Sequence, residues 1–191
     1  MVLAAGASTR MGRPKALIEW QGQSFLRRVI GLAEGCGCAP IVVVEGAIEL
    51  PDAELGPASR ARNDRWSQGQ LSSLQVGLAA LSSGAEEVSG VMVLAIDRPR
   101  VRLATCRALA EAHQRAPERI WQPALEGRRG HPIVYPRGVF AALAGLPSEE
   151  GPRSWLRSPA IEALRSSVDI ADRGVFDNFD RPEDLLRLSC E

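Results

Sequence analysis

The chain opens with Met1-Val2-Leu3-Ala4-Ala5-Gly6-Ala7-Ser8-Thr9-Arg10-Met11-Gly12-Arg13-Pro14-Lys15, an apolar run that leads into a polar loop. The run, residues 1–5, is typical of a short buried strand. Gly6 and Gly12 allow positive φ, and backbone N–H groups in such a loop can bind an anion. Hydroxyl donors and positive charge follow at Ser8, Thr9, Arg10, Arg13 and Lys15. Because open α/β sheets bind ligands beyond the carboxyl ends of their strands, the stretch indicates a polyphosphate site. A strand followed by a solvated turn is the alternative.

Composition limits the classes of function. A chain of 191 residues is long enough for one domain with its own core. The 23 basic residues balance the 23 acidic ones, so no overall field draws the chain to nucleic acid or to a membrane. Lys15 is the only lysine, which is hard to explain as surface solubilisation. No run approaches the ~18 apolar residues of a membrane span and no signal peptide is visible, so we expect a cytoplasmic protein.

The cysteines do not form a recognisable metal or redox motif. Cys36 and Cys38 are spaced C-x-C rather than C-x-x-C, and neither Cys106 nor Cys190 completes a set. We therefore expect free, partly buried thiols in a reducing compartment.

The order of the predicted elements favours an α/β fold. An amphipathic helix over residues 24–34, with Ser24 as N-cap and Gly35 and Gly37 at its end, separates the first strand from the apolar run 41–44. This β–α–β order predicts a right-handed parallel crossover. Further strands are predicted at 58–62, 88–96, 120–123, 133–135 and 165–171, helices at 71–81, 105–114, 138–146 and from Pro182 onwards, and an irregular loop at 47–57.

Two further stretches suggest ligand contacts. The helix at 71–81 follows a polar segment, and its N-terminus can offer N–H and hydroxyl donors to a base or phosphate from Asn63, Gly69, Ser72 and Ser73. An ordinary capped helix with Trp66 in the core is the alternative. Asp97 ends the strongest predicted strand, where a carboxylate can bind Mg²⁺ beside substrate phosphates. A cap for the helix that begins near Leu103 is the alternative for Asp97.

The opening stretch resembles L-A-A-G-x-S-x-R-M-G-x-x-K, the signature of the MobA-like nucleotidyltransferases, and within them the molybdenum cofactor cytidylyltransferase branch. Later blocks resemble the family in the same order: N-x-x-W-x-x-G-x-x-x-S-L from Asn63, D-x-P from Asp97, G-x-x-G-H-P from Gly127 and D-x-D-T-P-E-D-L from Asn178. The resemblance implies a single domain over residues 1–191 with a Rossmann-like three-layer α/β/α fold and a mostly parallel central sheet.

The resemblance also implies a reaction: a nucleoside monophosphate passes from a nucleoside triphosphate to a phosphorylated acceptor, and pyrophosphate is released. The implied catalytic residues are Arg10, Lys15 and Asp97, and Asp97 and Asp180 would hold Mg²⁺. Asp180 as the N-cap of the last helix is the alternative. The implied nucleotide-binding residues are Leu3, Ala4, Ala5, Gly6, Ser8, Arg10, Gly12, Lys15, Asn63, Gly69, Ser72 and Ser73. The implied acceptor-binding residues are Arg128, Arg129, His131 and Arg153, with Trp121 as a further candidate for a pterin pocket.

Base and acceptor are also implied by the resemblance. Ala5 favours CTP, because family members with L-A-A-G tend to use CTP and those with L-A-G-G tend to use GTP. The implied acceptor is molybdopterin bearing molybdenum, with a molybdoenzyme as a candidate partner. A sugar- or alcohol-phosphate nucleotidyltransferase and a non-catalytic cofactor carrier are the alternatives. The chain departs from the family's G-D-x-G-A-R-x-L-L at Ser148, Glu149, Pro152 and Trp155, and from its closing motif at Asn178 and Arg181.

Overall fold

Strands and helices alternate along the chain. A computed structural model describes residues 1–84, 87–148 and 150–188, so Glu149 and Cys190 lie outside the described residues. The strands are β1 (Val2–Leu3), β2 (Glu19–Trp20), β3 (Gln23–Ser24), β4 (Val42–Glu45), β5 (Ser59–Arg62), β6 (Gly90–Ala95), β7 (Ile120–Leu125), β8 (Arg128–Arg129), β9 (Ile133–Pro136) and β10 (Arg165–Asp169). The α-helices are α1 (Phe25–Gly35), α2 (Asp52–Leu55), α3 (Gln70–Ser82), α4 (Leu103–Arg115), α5 (Phe140–Ala144), α6 (Pro152–Trp155) and α7 (Pro159–Glu162). Six 3₁₀ turns complete the described elements: Thr9–Met11, Lys15–Leu17, Trp66–Gln68, Arg137–Val139, Arg173–Val175 and Pro182–Leu188.

The main sheet has the strand order β10-β7-β9-β6-β1-β4-β5, and β8 pairs with β7. Strand β1 lies between β4 and β6 and is parallel to both, with Val2 opposite Val43 and Leu94. The carboxyl ends of these three strands therefore meet at one edge of the sheet. The loop after β1 and the residue Asp97 after β6 both follow that edge, where the sequence predicts the ligand site.

Helices cover both faces of this sheet, because alternate strand residues point to opposite sides. One face packs α3 and α5 against Leu3, Val42, Val44, Val91 and Val93. The other packs α1 and α4 against Val2, Ala4, Val43, Met92 and Leu94. The predicted three-layer α/β/α arrangement with a mostly parallel sheet is confirmed. In the described part of the chain no helix is long and apolar enough to cross a membrane.

The structure adds local features that the sequence analysis did not predict, and it changes one prediction, the irregular loop at 47–57. Residues 19–24 form a β2–β3 hairpin whose turn, Gln21 and Gly22, has positive φ at both positions. The predicted irregular loop at 47–57 contains the one-turn helix α2, which is too short to show a helical period. Strand β9 runs antiparallel to both β6 and β7, an orientation that depends on tertiary pairing rather than on local pattern. The helix predicted from Pro182 onwards is a 3₁₀ helix, Pro182–Leu188.

Candidate active site

The loop after β1 folds back on itself. Ser8 has φ 54° and Gly12 has φ 72°, and the single turn Thr9–Met11 lies between these two left-handed residues. The hydroxyl of Ser8 accepts a hydrogen bond from the backbone N–H of Lys15 at 3.0 Å. This contact closes the loop and brings the start of the next turn, Lys15–Leu17, beside Ser8.

Asp180 is the common partner of the loop's cations. Its carboxylate accepts a hydrogen bond from Lys15 and lies 3.2 Å from a guanidinium nitrogen of Arg10. Asn178 donates to the same carboxylate at 3.0 Å. The side chain of Lys15 is only 14% exposed and that of Arg10 is 63% exposed. The Lys15 pair is therefore screened less by solvent and contributes more than the Arg10 pair.

Asp97 anchors the segment that carries Asp180. The carbonyl of Asp97 accepts the backbone N–H of Phe179 at 2.9 Å. Phe179 is fully buried and packs edge-on against Phe25, with ring centroids 6.0 Å apart. Asp180, one residue later, is thereby held beside the end of β6.

The two aspartates differ in acidity. Burial raises the pKa of Asp97, and the nearby charge of Asp180 acts in the same direction, against the opposing charges of Arg98 and Lys15. Burial also acts to raise the pKa of Asp180, but the hydrogen bond and charge of Lys15, together with Arg10, outweigh it and leave the pKa below its usual range. Asp180 is therefore held as an anion, whereas none of the ion pairs among the described residues involves Asp97.

The alternatives for both aspartates are wrong. The first turn of α4 is capped by Asp172, which accepts hydrogen bonds from the N–H of Arg102 and the hydroxyl of Thr105. The turn at Pro182 is capped from within by Asp184, which accepts the N–H groups of Asp180 and Arg181. Neither Asp97 nor Asp180 is used as a helix cap.

These residues surround a cleft of about 310 Å³. Ten of the predicted site residues line it: Leu3, Ala5, Gly6, Ser8, Arg10, Lys15, Gly69, Ser73, Asp97 and Asp180. Ala4, Gly12, Asn63 and Ser72 are not in its lining. Ala4 faces the opposite side of the sheet, in the core with α1 and α4.

Asn63 and Ser72 hold the loop that borders the cleft. Asn63 is 1% exposed and donates to the hydroxyls of Ser72 and Ser73, both at 2.9 Å. Ser72 donates in turn to the carbonyls of Arg65 and Gly69. Because a buried amide must be paired, these contacts shape the loop around Trp66, which lines the cleft.

A second cavity of about 500 Å³ adjoins the cleft and shares Leu3 and Gln70 with it. The predicted acceptor residues Arg128, Arg129, His131 and Arg153 all line this cavity. Trp121 does not; its indole donates to the carbonyl of Ala116 at the end of α4.

The second cavity is strongly positive. Arginines 98, 128, 129, 153, 157 and 165 line it, and none of its described lining residues is a carboxylate. Arg129 and Arg165 pair with Glu162 outside the lining. Burial and the charge of Arg98 lower the pKa of His131 to about 4, so His131 is neutral at physiological pH. The arrangement suits a ligand with negative charge.

The segment 172–180 joins the two spaces, and its structural role was missed in the sequence. Val175 accepts hydrogen bonds from the N–H of His131 and from Arg98. The ring of Phe176 lies under the guanidinium of Arg128 at 4.6 Å. Asp172 fixes the start of the segment and is 3% exposed. Short-range pattern gives no signal for Asp172, because its partners Thr105 and Arg102, at the start of α4, lie 67 and 70 positions away.

Asp97 and Asp180 are chemically suited to a hard divalent cation. Both residues line one cleft, and Mg²⁺ commonly takes one or two carboxylates together with substrate phosphates. No cluster of three or more His, Cys, Asp or Glu side chains suited to a metal occurs among the described residues. The donor set therefore fits an ion that shares its ligands with a phosphate, rather than an all-protein metal cage.

A family model described as the MobA-like NTP transferase domain matches residues 1–166. The chain belongs to this family. It is a nucleotidyltransferase of the MobA type, and Asp172 and Asp180 follow the matched region. The resemblance to the family predicted from the sequence is confirmed.

Individual relatives carry different names. The nicotine blue oxidoreductase of Paenarthrobacter nicotinovorans is 32% identical over 98% of this chain and 94% of its own length. A probable molybdenum cofactor guanylyltransferase of Deinococcus radiodurans is 31% identical over 98% of this chain and 92% of its own length. The structure of Rv0371c from Mycobacterium tuberculosis matches with a TM-score of 0.74 at 25% identity, over 98% of this chain and 95% of that one. Rv0371c has also been solved in complex with manganese.

Proposed function

We propose that the protein transfers the CMP moiety of CTP to a phosphorylated acceptor, molybdopterin that carries molybdenum, and releases pyrophosphate. The observation that carries the proposal is the position of Lys15, Asp97 and Asp180 in one cleft that adjoins an arginine-lined cavity. A triphosphate in the cleft and an anionic acceptor in the cavity would meet near Leu3 and Gln70, which line both spaces.

The reaction is a displacement at the α-phosphorus. An oxygen of the acceptor phosphate forms a bond to that phosphorus, the bond to the pyrophosphate oxygen breaks, and pyrophosphate leaves. The protein contributes positioning and charge neutralisation. Arg10 neutralises the β- and γ-phosphates, and Lys15 stabilises the charge that develops at the α-phosphate.

Asp180 keeps Lys15 directed into the cleft. Lys15 exchanges this hydrogen bond for one to the phosphate when the triphosphate binds. Asp97 and the released carboxylate of Asp180 are the residues that would hold Mg²⁺. Bound there, the ion would neutralise charge on the phosphate oxygens.

Ala5 supports the choice of base. It lies in the cleft, is 5% exposed, and packs closely against Gly46, where an added Cβ would lie 2.8 Å from the carbonyl of Ala5. Its methyl group narrows the space beside the base and favours the smaller pyrimidine. GTP is the competing donor, because several relatives are named molybdenum cofactor guanylyltransferases.

The acceptor cavity favours an anion that also has a flat face. Arg128 over the ring of Phe176 presents a planar surface. Arg153, on α6, is exposed and also lines the cavity. A phosphorylated pterin has the required phosphate and planar ring.

The test is pyrophosphate release from each of the four NTPs with Mg²⁺, with and without the molybdenum-bearing pterin acceptor. We expect release with CTP that depends on the acceptor and is at least tenfold faster than with GTP. Faster release with GTP would overturn the choice of base. Release with a sugar or alcohol phosphate but not with the pterin would show a different acceptor class. No release with any NTP, combined with tight pterin binding, would identify a carrier.

A further inference from the structure

Helix α1 ends in a turn that brings two thiols together. Gly37 has φ 76°, its N–H donates to the carbonyl of Glu34, and the N–H of Cys38 donates to the carbonyl of Ala33. These two bonds form a Schellman cap, which fixes the backbone on both sides of the glycine. Cys36 and Cys38 flank Gly37, and their sulfur atoms lie 3.5 Å apart. The contact between the thiols is therefore built into the helix cap.

The pair is accessible from a third cavity. Cys36 and Cys38 are partly exposed and line a space of about 280 Å³ at the amino ends of β1 and β6. The nucleotide cleft lies at the carboxyl ends of the same strands. Among the described residues that line the third cavity, the other titratable groups are the α-amine of Met1, Glu87 and His113. Cys106, by contrast, is 0% exposed.

We propose that Cys36 and Cys38 form a reactive dithiol that a hydroperoxide converts to an internal disulfide. The Cys38 thiolate attacks the peroxide oxygen, the O–O bond breaks, and Cys38 becomes a sulfenic acid while hydroxide leaves and is protonated. Cys36, as its thiolate, then attacks the sulfur of Cys38; the S–S bond forms, the S–O bond breaks, and a second water is released. Two thiols and one hydrogen peroxide thus give one disulfide and two waters.

The different environments of the two sulfurs assign their roles. The two sulfurs share a hydrogen bond, and this contact and the charge of the Met1 α-amine lower the pKa of Cys38 to about 7 in spite of the opposing effect of burial. The same contact, together with burial, raises the pKa of Cys36, whose S–H donates to the carbonyl of Ala33 at 3.4 Å. Since the thiolate is the nucleophile, Cys38 reacts first with peroxide and Cys36 resolves the intermediate.

The test treats the full-length protein with one equivalent of hydrogen peroxide, alkylates it under denaturing conditions, digests it with trypsin and measures the peptide masses. We expect the peptide with Cys36 and Cys38 to lose two hydrogens and take no alkyl group, while Cys106 stays alkylated. The proposal is overturned if Cys36 and Cys38 are both still alkylated after hydrogen peroxide has oxidised Cys106. It is also overturned if Cys38 proceeds to a sulfinic acid without a disulfide.

Single variants test the roles. In Cys36→Ser, Cys38 is expected to stop at a sulfenic acid that dimedone traps. In Cys38→Ser, oxidation of Cys36 is expected to be at least tenfold slower, and Cys106→Ala serves as the control that still forms the disulfide. A trapped sulfenic acid on Cys36 in Cys38→Ser, with slow oxidation of Cys38 in Cys36→Ser, would refute the roles assigned to the two thiols. Because the readout is a mass and the pair lies outside the nucleotide cleft, the outcome is independent of the transferase activity.

Discussion

Lys15 and Asp180 form an ion pair in the nucleotide cleft although 165 positions separate them along the chain. Both side chains are mostly shielded from solvent, at 14% and 21% exposed. The pair joins the loop after β1 to the segment 172–180, so the first and last parts of the described chain build one site. The charge of Lys15 is held in place before any substrate enters, which is the preorganisation that electrostatic catalysis requires.

Replacing Lys15 should reduce catalysis far more than stability. For Lys15→Met we expect kcat to fall roughly 10²–10³-fold, or about 2.7–4 kcal/mol, as for the loss of one preorganised donor. Asp180 keeps Arg10 and Asn178 as partners, so Tm should change little. Steady-state pyrophosphate release and thermal unfolding measure the two quantities. Arg13→Met, in the same loop but outside the cleft lining, is the control. An equal loss of kcat in both variants would contradict the role of Lys15.

Asp97→Asn should lose activity and gain stability at neutral pH. The raised pKa means that the folded protein holds this proton more tightly than the unfolded chain does. The stability contributed by the proton is complete below the unfolded pKa of about 3.9 and is lost as pH rises towards the folded value. The difference in Tm between Asp97→Asn and the wild type should therefore grow as pH rises from the unfolded to the folded pKa, and kcat should fall on the order of 10²-fold.

Asp180→Asn is the matched comparison, because its expected effect on stability is opposite to that of Asp97→Asn. The pKa of Asp180 is lowered, so its contribution is present above the unfolded pKa and is lost as pH falls through the folded value. This variant should be less stable than the wild type at neutral pH, and the difference should shrink in acid. Identical pH profiles for the two variants would contradict the assigned environments.

Ala5→Gly should relax the choice of base. Removing the methyl group widens the cleft, and we expect the ratio of kcat/KM for GTP to that for CTP to rise about tenfold, within the range for one methyl-sized contact. Ala4→Gly is a close control, because Ala4 is also 5% exposed but faces the opposite side of the sheet. A similar change in both variants would indicate a backbone effect rather than a contact with the base.

Arg153→Ala should weaken the binding of the acceptor but not that of CTP. One charge-assisted hydrogen bond contributes about 1.5–3 kcal/mol, so the acceptor KM should rise roughly 10- to 100-fold while the KM for CTP stays constant. Arg115→Ala, at the exposed end of α4 and outside both cavities, is the control. An unchanged acceptor KM would remove Arg153 from the site.

Asp172 should act by positioning the segment that it begins. Its carboxylate accepts three hydrogen bonds, from the N–H groups of Arg102 and Gly174 and the hydroxyl of Thr105. Asp172→Ala should lower the free energy of unfolding by about 2–3 kcal/mol and raise the acceptor KM. In Asp172→Asn, both quantities should lie between those of Asp172→Ala and the wild type. Asp169→Ala, exposed on β10, is the control. A stability loss with an unchanged acceptor KM would limit Asp172 to folding.

The sequence predicts the buried strands well, because a continuous apolar run bounded by turn residues is compatible with few other structures. The run 41–44 corresponds to β4 and the run 88–96 to β6. Ser24 caps α1 as predicted and accepts the N–H of Arg27 at 3.1 Å. The β2–β3 hairpin was missed, since a turn of Gln21 and Gly22 has only one residue that favours positive φ.

The candidate site was predictable where a side chain follows a strand, and less so where side chains bind each other. Asp97 was placed by its position after β6. Asn63 was predicted as a ligand donor, but in the structure its amide is shared between Ser72 and Ser73, because a buried polar group is satisfied by its nearest partner. The contacts of Asp172 connect segments that are remote in sequence, and no local pattern encodes them.

The separation of 165 positions between Lys15 and Asp180 has a consequence for biosynthesis. Domains fold from the N-terminus during translation, so the sheet and the basic loop after β1 can assemble while the carboxylate that completes the cleft is still within the ribosome. A nascent chain would therefore hold Lys15 and Arg10 without their anionic partner. The cleft would therefore be completed only after the segment 172–180 has left the ribosome.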